Sequence, residues 1–332
     1  CAEAVIEVAR TSTKPVLACW MGQTLIAEGR QLFNQAGIPN FRSPEAGVDA
    51  FGYLATYHRN QTALMQAPSP LSRSNAADVE GARMIIENAR DDHRDTLSNT
   101  ESKAILNAFH IPTSPSIDVS SAAEALVAAE NLGLPIAMKI DSPNLTHKSD
   151  VGGVRLNISE AQTVRSAYRE MVQRVSSENP DAIIDGVTIE PMLNRPNARE
   201  IMIGIAQDPV FGPVISFGTG GTAVEIISDN AVALPPLNDY LSQQLIEETR
   251  AAKFLKQFRN LPQVNIRQLI QVLQRISEIS CELPEIQELD INPLLVDEHG
   301  VIAVDARVVI RSPVSGSRRY DHMAIPPYPT EL

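Results

Sequence analysis

The chain has 332 residues, 43% of them hydrophobic and 20% charged, which is enough apolar mass for two or three domains with cores of their own. A formal net charge of −12 speaks against a nucleic-acid binder, because affinity for a phosphate backbone rests on clustered Lys and Arg, and no run is long and apolar enough to span a bilayer. Cys1, Cys19 and Cys281 are too few and too far apart for a zinc site or a disulfide framework and fit a reducing, cytoplasmic setting; a chain that opens on Cys1 with no signal-peptide pattern reads as part of a longer polypeptide.

Residues 1–11 have the pattern of a helix end. The run PVLACW at 15–20 follows as an apolar strand, then a helix over about 23–36 with Gly37 at its C-terminal cap, and a short strand at 39–41. Ser43 and Pro44 supply an N-cap and a first helical position for the next helix. This β-α-β-α alternation predicts a doubly wound parallel sheet, and so small a strand count places the sheet's first half upstream of Cys1. Between 66 and 98 the composition shifts to Pro68, Ser69 and Pro70 with several Ser and Asn, and a charged helix passes through Asp91, Asp92, His93 and Arg94; the stretch reads as a linker carrying one helix.

A second region begins at Ser98, where Glu101 completes a capping box. Ile105, Leu106 and Phe109 give that helix one apolar face. The same capping signal recurs at Ser121 with Glu124 and at Ser159 with Gln162. Between these helices lies LPIAMKIDSPNLTHKSDVGGV, residues 134–154. Its apolar run, 135–140, reads as a buried strand holding one charge, Lys139, and a buried ammonium requires a partner. His147 and Lys148 stand in the polar loop that follows, and Gly152 with Gly153 would let backbone amides approach an anion. A phosphate chain would satisfy both lysines and the glycines together; a surface lysine and an ordinary hairpin is the plainer alternative.

From 185 onwards the sequence is richer in strands. GVTIEPM at 186–192 is a strand that Pro191 ends or kinks. Strands at 200–205 and 213–217 pair across a turn at 207–212, and Gly218, Gly220 and Gly221 follow in a motif that either meets a ligand or only turns the chain. Two helices, about 238–258 and 265–281, lead to ELDINPL, and a turn at 297–300 returns the chain through 301–305. Asn292 and Asp305 are thereby placed near the ends of adjacent strands. One amide oxygen and one carboxylate suffice for magnesium, which keeps waters and substrate phosphates in its shell. Capping a turn before Pro293 is the alternative for Asp290 and Asn292, and solvated or capping roles are likewise open for Glu200, Asp208 and Glu225.

The order LPIAMKI, HKSDVGGV, VTIEPM, REIMIGIAQDPVFGPVISFGTGG, ELDINPL and VIAVDAR resembles the ATP-grasp part of the NDP-forming acyl-CoA synthetases, the group that includes ADP-forming acetate–CoA ligase and succinyl-CoA synthetase. KPVLACWMGQ, AGIP and SPEAGV resemble the end of the flavodoxin-like ligase domain that precedes it in fused members. The resemblance implies an α/β chain: the C-terminal part of a flavodoxin-like parallel sheet at 1–67, a linker helix at 68–97, and an ATP-grasp fold of two α+β subdomains at 98–184 and 185–311. The tail, 312–332, is similar to the linker of members that continue into a GNAT domain, the Pat-type protein lysine acetyltransferases.

The resemblance also implies ATP and Mg2+ as cofactors. Lys139 and Lys148 would lie on the nucleotide phosphates, Glu190, Pro191 and Met192 at the adenine as a hinge, and Asn292 and Asp305 on the magnesium. Asp290 stands where relatives have an acidic residue near the phosphoryl-transfer site. His147 matches the loop histidine proposed to carry phosphate between sites in the ADP-forming acetate–CoA ligases. Gly152, Gly153, Glu200, Gly220 and Gly221 complete the expected nucleotide-binding set. Expected partners are ATP and, through domains outside the chain, acetyl-CoA or acyl-CoA, with a fused GNAT domain or a second copy as further ones. Two activities stay open: an acid–thiol ligase module acting by phosphoryl transfer through histidine, or an inactive regulatory module controlling a fused acetyltransferase.

Overall fold

Two short apolar segments, β1 (Ala18–Cys19) and β2 (Asn40–Phe41), pair in parallel with Ala18 opposite Asn40, as the βαβ pattern requires. They belong to the first of two units, Cys1–Ala67 and Pro68–Leu332, in a computed structural model that describes residues 1–22, 24–65, 76–142, 145, 151–221, 229–257 and 259–311. Around this pair lie α1 (Ala2–Thr11), α2 (Ala27–Gln35) and α3 (Pro44–Leu64). The helix expected from residue 23 starts as a 3-10 turn, Thr24–Ile26, and becomes α-helical at Ala27. Gly37, at φ +71°, takes the left-handed turn that ends α2, and the Ser43 hydroxyl accepts from Ala46 N–H at the start of α3. Ala2, Phe33 and Ile38 form a small core against which Trp20 tilts, its ring 5.0 Å from that of Phe33.

The second unit is built on two antiparallel sheets. It begins with α4 (Val79–Asp91) and α5 (Asn99–Ala108), followed by β3 (Ile117–Val119), α6 (Ala122–Leu132), β4 (Ile136–Asp141), β5 (Val154–Ile158), α7 (Ala161–Glu178) and β6 (Gly186–Pro191). The four strands lie in the order β3-β6-β4-β5. The strand-rich half follows with β7 (Arg199–Asp208), β8 (Gly212–Thr219), β9 (Asn230–Ala233), α8 (Asp239–Glu247), α9 (Ala251–Leu255), α10 (Ile266–Glu282), β10 (Ile286–Val296), β11 (Val301–Ala303) and β12 (Ala306–Ile310). These strands run β11-β10-β7-β8-β9, with β12 also on β10.

Each sheet has its own core. Ile136, Met138, Ile140, Val187 and Ile189 point into the first, against Ala125, Ala129, Val164 and Met171 of α6 and α7. In the second, Ile201, Ile203 and Ile205 alternate along β7, and Leu269, Val272, Leu273, Ile276 and Ile279 form the inward stripe of α10.

Several expectations change here. Of residues 186–192, assigned from sequence to the strand-rich half, 186–191 form β6, which sits between β3 and β4 in the first sheet. The apolar face of α5 packs instead with the second, because Ile105, Leu106 and Phe109 join the core beneath β7. The 68–97 stretch, read as a linker, carries α4, whose Ala82, Ile86 and Ala89 are buried in that same core. Its helix stops at Asp91, and Arg94 instead grips Glu101 at 2.7 and 2.8 Å.

The helix expected over 238–258 is broken into α8 and α9, since the Asp229 carboxylate accepts from Arg250 and Ala251 N–H, both at 2.8 Å, and starts a new helix there. Ser98 and Ser121 cap as expected, but α7 has Glu160 at its N-cap with no side-chain cap bond, so the Ser159 signal is not used.

Candidate functional site

The alternation of β4 sets the site. Ile136, Met138 and Ile140 face the core, so Ala137 and Lys139 face the other way, towards the second sheet. On β6, Thr188 stands opposite Lys139 and Glu190 opposite Ala137, which puts Lys139 and Glu190 diagonally on one face. Lys139 Nζ contacts Glu190 Oε2 at 3.0 Å and Asp305 Oδ2 at 3.1 Å. The sequence suggested a buried ammonium in want of a countercharge; the structure supplies two carboxylates.

Glu190 is the centre of the cluster. Besides Lys139, its Oε1 accepts from Lys103 Nζ at 2.5 Å and Asn99 Nδ2 at 3.0 Å. Lys103 also donates to Ser114 Oγ at 2.9 Å, and that hydroxyl donates to the Val304 carbonyl at 3.2 Å, next to Asp305. Lys103 and Glu190 are each 2% exposed and Lys139 9%, whereas the Asp305 side chain is 42% exposed. Two cations and two anions cancel, as a buried ionic group requires. Burial drives the Lys103 ammonium below its ordinary value, with Glu190 opposing it. Burial acts on Lys139 in the same sense, but Asp305 and Glu190 together outweigh it and raise that group. Asp305 touches Lys139 directly and acts on Lys103 only from farther off, behind the opposing charge of Lys139.

On β10 the register shifts between Ile291 and Leu294, and the bulge holds a cis Asn292–Pro293 bond. Ile291 faces Ala306, and Val304 N–H donates to the Pro293 carbonyl, so Asp305 falls alongside Asn292. Asn292 therefore lies within a strand at a bulge, and Asp305 between β11 and β12. Asn292 Oδ1 accepts from Gly221 N–H at 2.8 Å, while Gly220 N–H donates to the Glu200 carbonyl at 2.8 Å. Gly221 is at φ +74° with the Glu200 carboxylate where a Cβ would go, and a Cβ on Gly220 would come within 2.6 Å of the Ile201 backbone. The glycine motif thus lies against β7 and delivers an amide to Asn292. Asp290 keeps solvent access, yet enough protein surrounds it that desolvation, followed by the Asp305 charge, lifts its carboxyl above the ordinary range.

The other expected residues have partners of their own. The Glu190 side chain turns into the ion cluster, and Met192 N–H donates to the Pro135 carbonyl at 2.9 Å and is thereby engaged. Gly152, at φ +67°, lies under the Arg174 guanidinium, and the Gly153 carbonyl accepts from Ile140 N–H. The Asp208 carboxylate caps its own turn, accepting from Val210 and Phe211 N–H. His147, Lys148 and Glu225 lie outside the described residues, as does the tail 312–332. Asn99, Lys103 and Ser114 were not anticipated. The signal existed: Asn99, Ser102, Lys103 and Leu106, at i, i+3, i+4 and i+7, are the buried stripe of α5.

The donor set suits magnesium. Asp305 and Asn292 are hard oxygen donors, and each keeps lone pairs beyond its present hydrogen bond, Asp305 Oδ1 accepting only from Ala306 N–H among the described residues. No cluster of three or more His, Cys, Asp or Glu able to hold a metal occurs among the described residues. No helix among the described residues is long and apolar enough to cross a membrane.

Comparison with known proteins places this architecture. An ATP-grasp domain family matches residues 88–310. The β subunit of ADP-forming acetate–CoA ligase I from Pyrococcus furiosus is 39% identical over 232 residues, 70% of this chain and 99% of that subunit. The ADP-forming acetate–CoA ligase I of Archaeoglobus fulgidus is 32% identical over 297 residues, 90% of this chain, which spans 42% of that longer protein. A solved structure of dinucleotide forming acetyl-coenzyme A synthetase 1 from Ca. Korarchaeum cryptofilum, with coenzyme A and Mg-AMPPCP and its phosphohistidine segment pointing towards the nucleotide binding site, superposes with a TM-score of 0.60 at 32% identity, over 69% of this chain and 100% of that one. The chain belongs to the ADP-forming acyl-CoA synthetase family and carries its ATP-grasp domain.

Proposed function

We propose that the second unit binds a magnesium nucleotide, and that the chain is the ATP-grasp portion of an acid–thiol ligase of the acetate, ATP and CoA type. The observation that carries this reading is Lys139, buried between Glu190 and Asp305 at 3.0 and 3.1 Å with Asn292 alongside, in a chain of this family. Lys139 exchanges Asp305 for a phosphate oxygen and keeps Glu190 as its anchor. Asp305 and Asn292 hold the metal, which when bound neutralises phosphate oxygens as phosphoryl transfer demands. Gly220 and Gly221 keep the chain close to that point, and Asp290 stands near enough to Asp305 for that charge to raise its carboxyl further, beyond the effect of burial.

The phosphoryl acceptor in this reading is His147, since an imidazole nitrogen can act as a nucleophile towards phosphorus. Its nitrogen lone pair bonds to the γ-phosphorus while the bond to the bridging oxygen breaks, and ADP leaves with that electron pair. Lys148 is the second cation at the phosphates. The Pyrococcus furiosus relative is a β subunit, which supports a CoA site on a partner chain or domain. The regulatory reading, a module controlling a fused acetyltransferase, rests on the sequence of 312–332 alone, and the ligase relatives favour the catalytic one.

Calorimetry of Mg-ATP binding to wild type, Lys139→Ala and Asp305→Ala tests the site, and binding that survives both substitutions unchanged overturns it. Incubation with γ-labelled Mg-ATP tests the acceptor: an acid-labile, base-stable label lost in His147→Ala supports it, and label that persists there removes His147 from the reaction.

A further inference from the structure

Glu190 divides its two oxygens unequally. Oε1 takes Lys103 at 2.5 Å and Asn99 at 3.0 Å, while Oε2 takes Lys139 at 3.0 Å. Lys103 is fixed at its other side by Ser114, which is tied to the Val304 carbonyl, so it has no freedom to leave. Once Asp305 turns to a cation, Lys139 gives up that carboxylate and can direct the freed N–H to a phosphate. Asp305, 42% exposed, can be released to solvent or a cation, whereas Glu190, 2% exposed, cannot be left without a countercharge. Lys103 is what makes the first exchange affordable.

We propose that Lys103 is a positioning residue for Lys139: by holding Oε1 and cancelling the charge of Glu190, it limits Lys139 to one oxygen of that carboxylate and leaves it able to turn from Asp305 towards a nucleotide phosphate. The proposal rests on the nucleotide-binding reading above. Without Lys103, both oxygens of Glu190 and its whole charge fall to Lys139, and the tightened pair draws the ammonium away from the ligand. The dependence is mutual, since burial works against the charge on Lys103 and Glu190 sustains it.

Three variants of the full chain, Lys103→Met, Glu190→Gln and the two combined, are compared with wild type by Mg-ATP calorimetry, with thermal unfolding in the absence of ligand as a second readout. Lys103→Met should weaken binding by about tenfold or more. Adding Glu190→Gln should restore it to within about threefold of wild type, and the double variant should unfold at a higher temperature than either single one. A packing defect at position 103 would not be repaired by neutralising Glu190. Binding by Lys103→Met equal to wild type, or a double variant no better than Lys103→Met, overturns the proposal. If Lys103→Met does not fold, Asn99→Leu removes the other Oε1 donor: binding weaker by about threefold supports the proposal and unchanged binding overturns it. Wild type that binds no Mg-ATP overturns the nucleotide reading together with this one, whereas wild-type binding with an indifferent Lys103→Met removes only the role of Lys103.

Discussion

Lys139→Met separates folding from ligand binding, because the two losses differ in size. Truncation removes contacts to Glu190 and Asp305 at 3.0 and 3.1 Å. Breaking a buried ion pair typically costs about 3–5 kcal/mol, most of it the penalty of an unpaired buried charge. Here Glu190 retains Lys103 and Asn99, and Asp305, 42% exposed, returns to water. The methionine stem also replaces most of the packing. The expected loss in urea unfolding is therefore only about 1–2 kcal/mol, below the usual range for such a pair. A charge-assisted hydrogen bond to phosphate is worth about 1.5–3 kcal/mol, or about 10- to 150-fold in Kd. Calorimetry with Mg-ATP at fixed ionic strength, beside urea melts of the same samples, reads both. A loss of stability above about 3 kcal/mol with an unchanged Kd would make Lys139 a structural ion and refute the reasoning.

Gly220→Ala forces a Cβ to within 2.6 Å of the Ile201 backbone, so β7 or β8 must shift; urea unfolding should show a loss of about 1–3 kcal/mol, and a neutral result would mean the strand ends part freely. Asn292→Leu removes both the acceptor of Gly221 N–H and an oxygen ligand, so the magnesium dependence of nucleotide affinity should flatten; an unaltered magnesium titration rules Asn292 out as a ligand. Asp290 carries a carboxyl raised above its ordinary 3.8, so the folded state holds that proton more tightly than the unfolded chain does, and stability falls as pH climbs through the window above 3.8. Asp290→Asn should accordingly raise the Tm at pH 7 and leave it nearly unchanged at pH 3; a lower Tm at pH 7 contradicts the shift.

Local chemistry made much of the fold legible. The Ser98–Glu101 box starts α5 with both of its hydrogen bonds, and Asp297 closes the hairpin between β10 and β11 by accepting from His299 and Gly300 N–H. Lys139 stood out because a charge inside an apolar strand is rare. What the sequence could not show is who answers that charge. Lys103, Glu190 and Asp305 are far apart along the chain, and each read singly suggests something else: a helix-surface lysine, a hinge residue, a metal ligand. The break between α8 and α9 was hidden for the same reason, since its cause is a carboxylate on Asp229, more than twenty residues upstream. Placing Glu190 in the first sheet needed the knowledge that β6 enters between β3 and β4, and long-range strand order is not written in periodicity.

The two cores of the second unit divide the chain in an unequal way. The buried residues of the first all lie between Val119 and Ile189, whereas the second draws on residues from both sides of that interval, from Ala82 to Ile111 and from Ile201 to Ile310. The first sheet is therefore an insertion in a discontinuous host, entered through β3 and left through β6. Those two strands are neighbours, with Ile117 opposite Ile189, and facing residues of an antiparallel pair lie only about 5 Å apart. A short turn in place of 117–191 would close the host, because the two crossings lie side by side. The inserted sheet and its host meet in the ion cluster, where Lys139 reaches out to Asp305 and Lys103 of the host reaches in to Glu190.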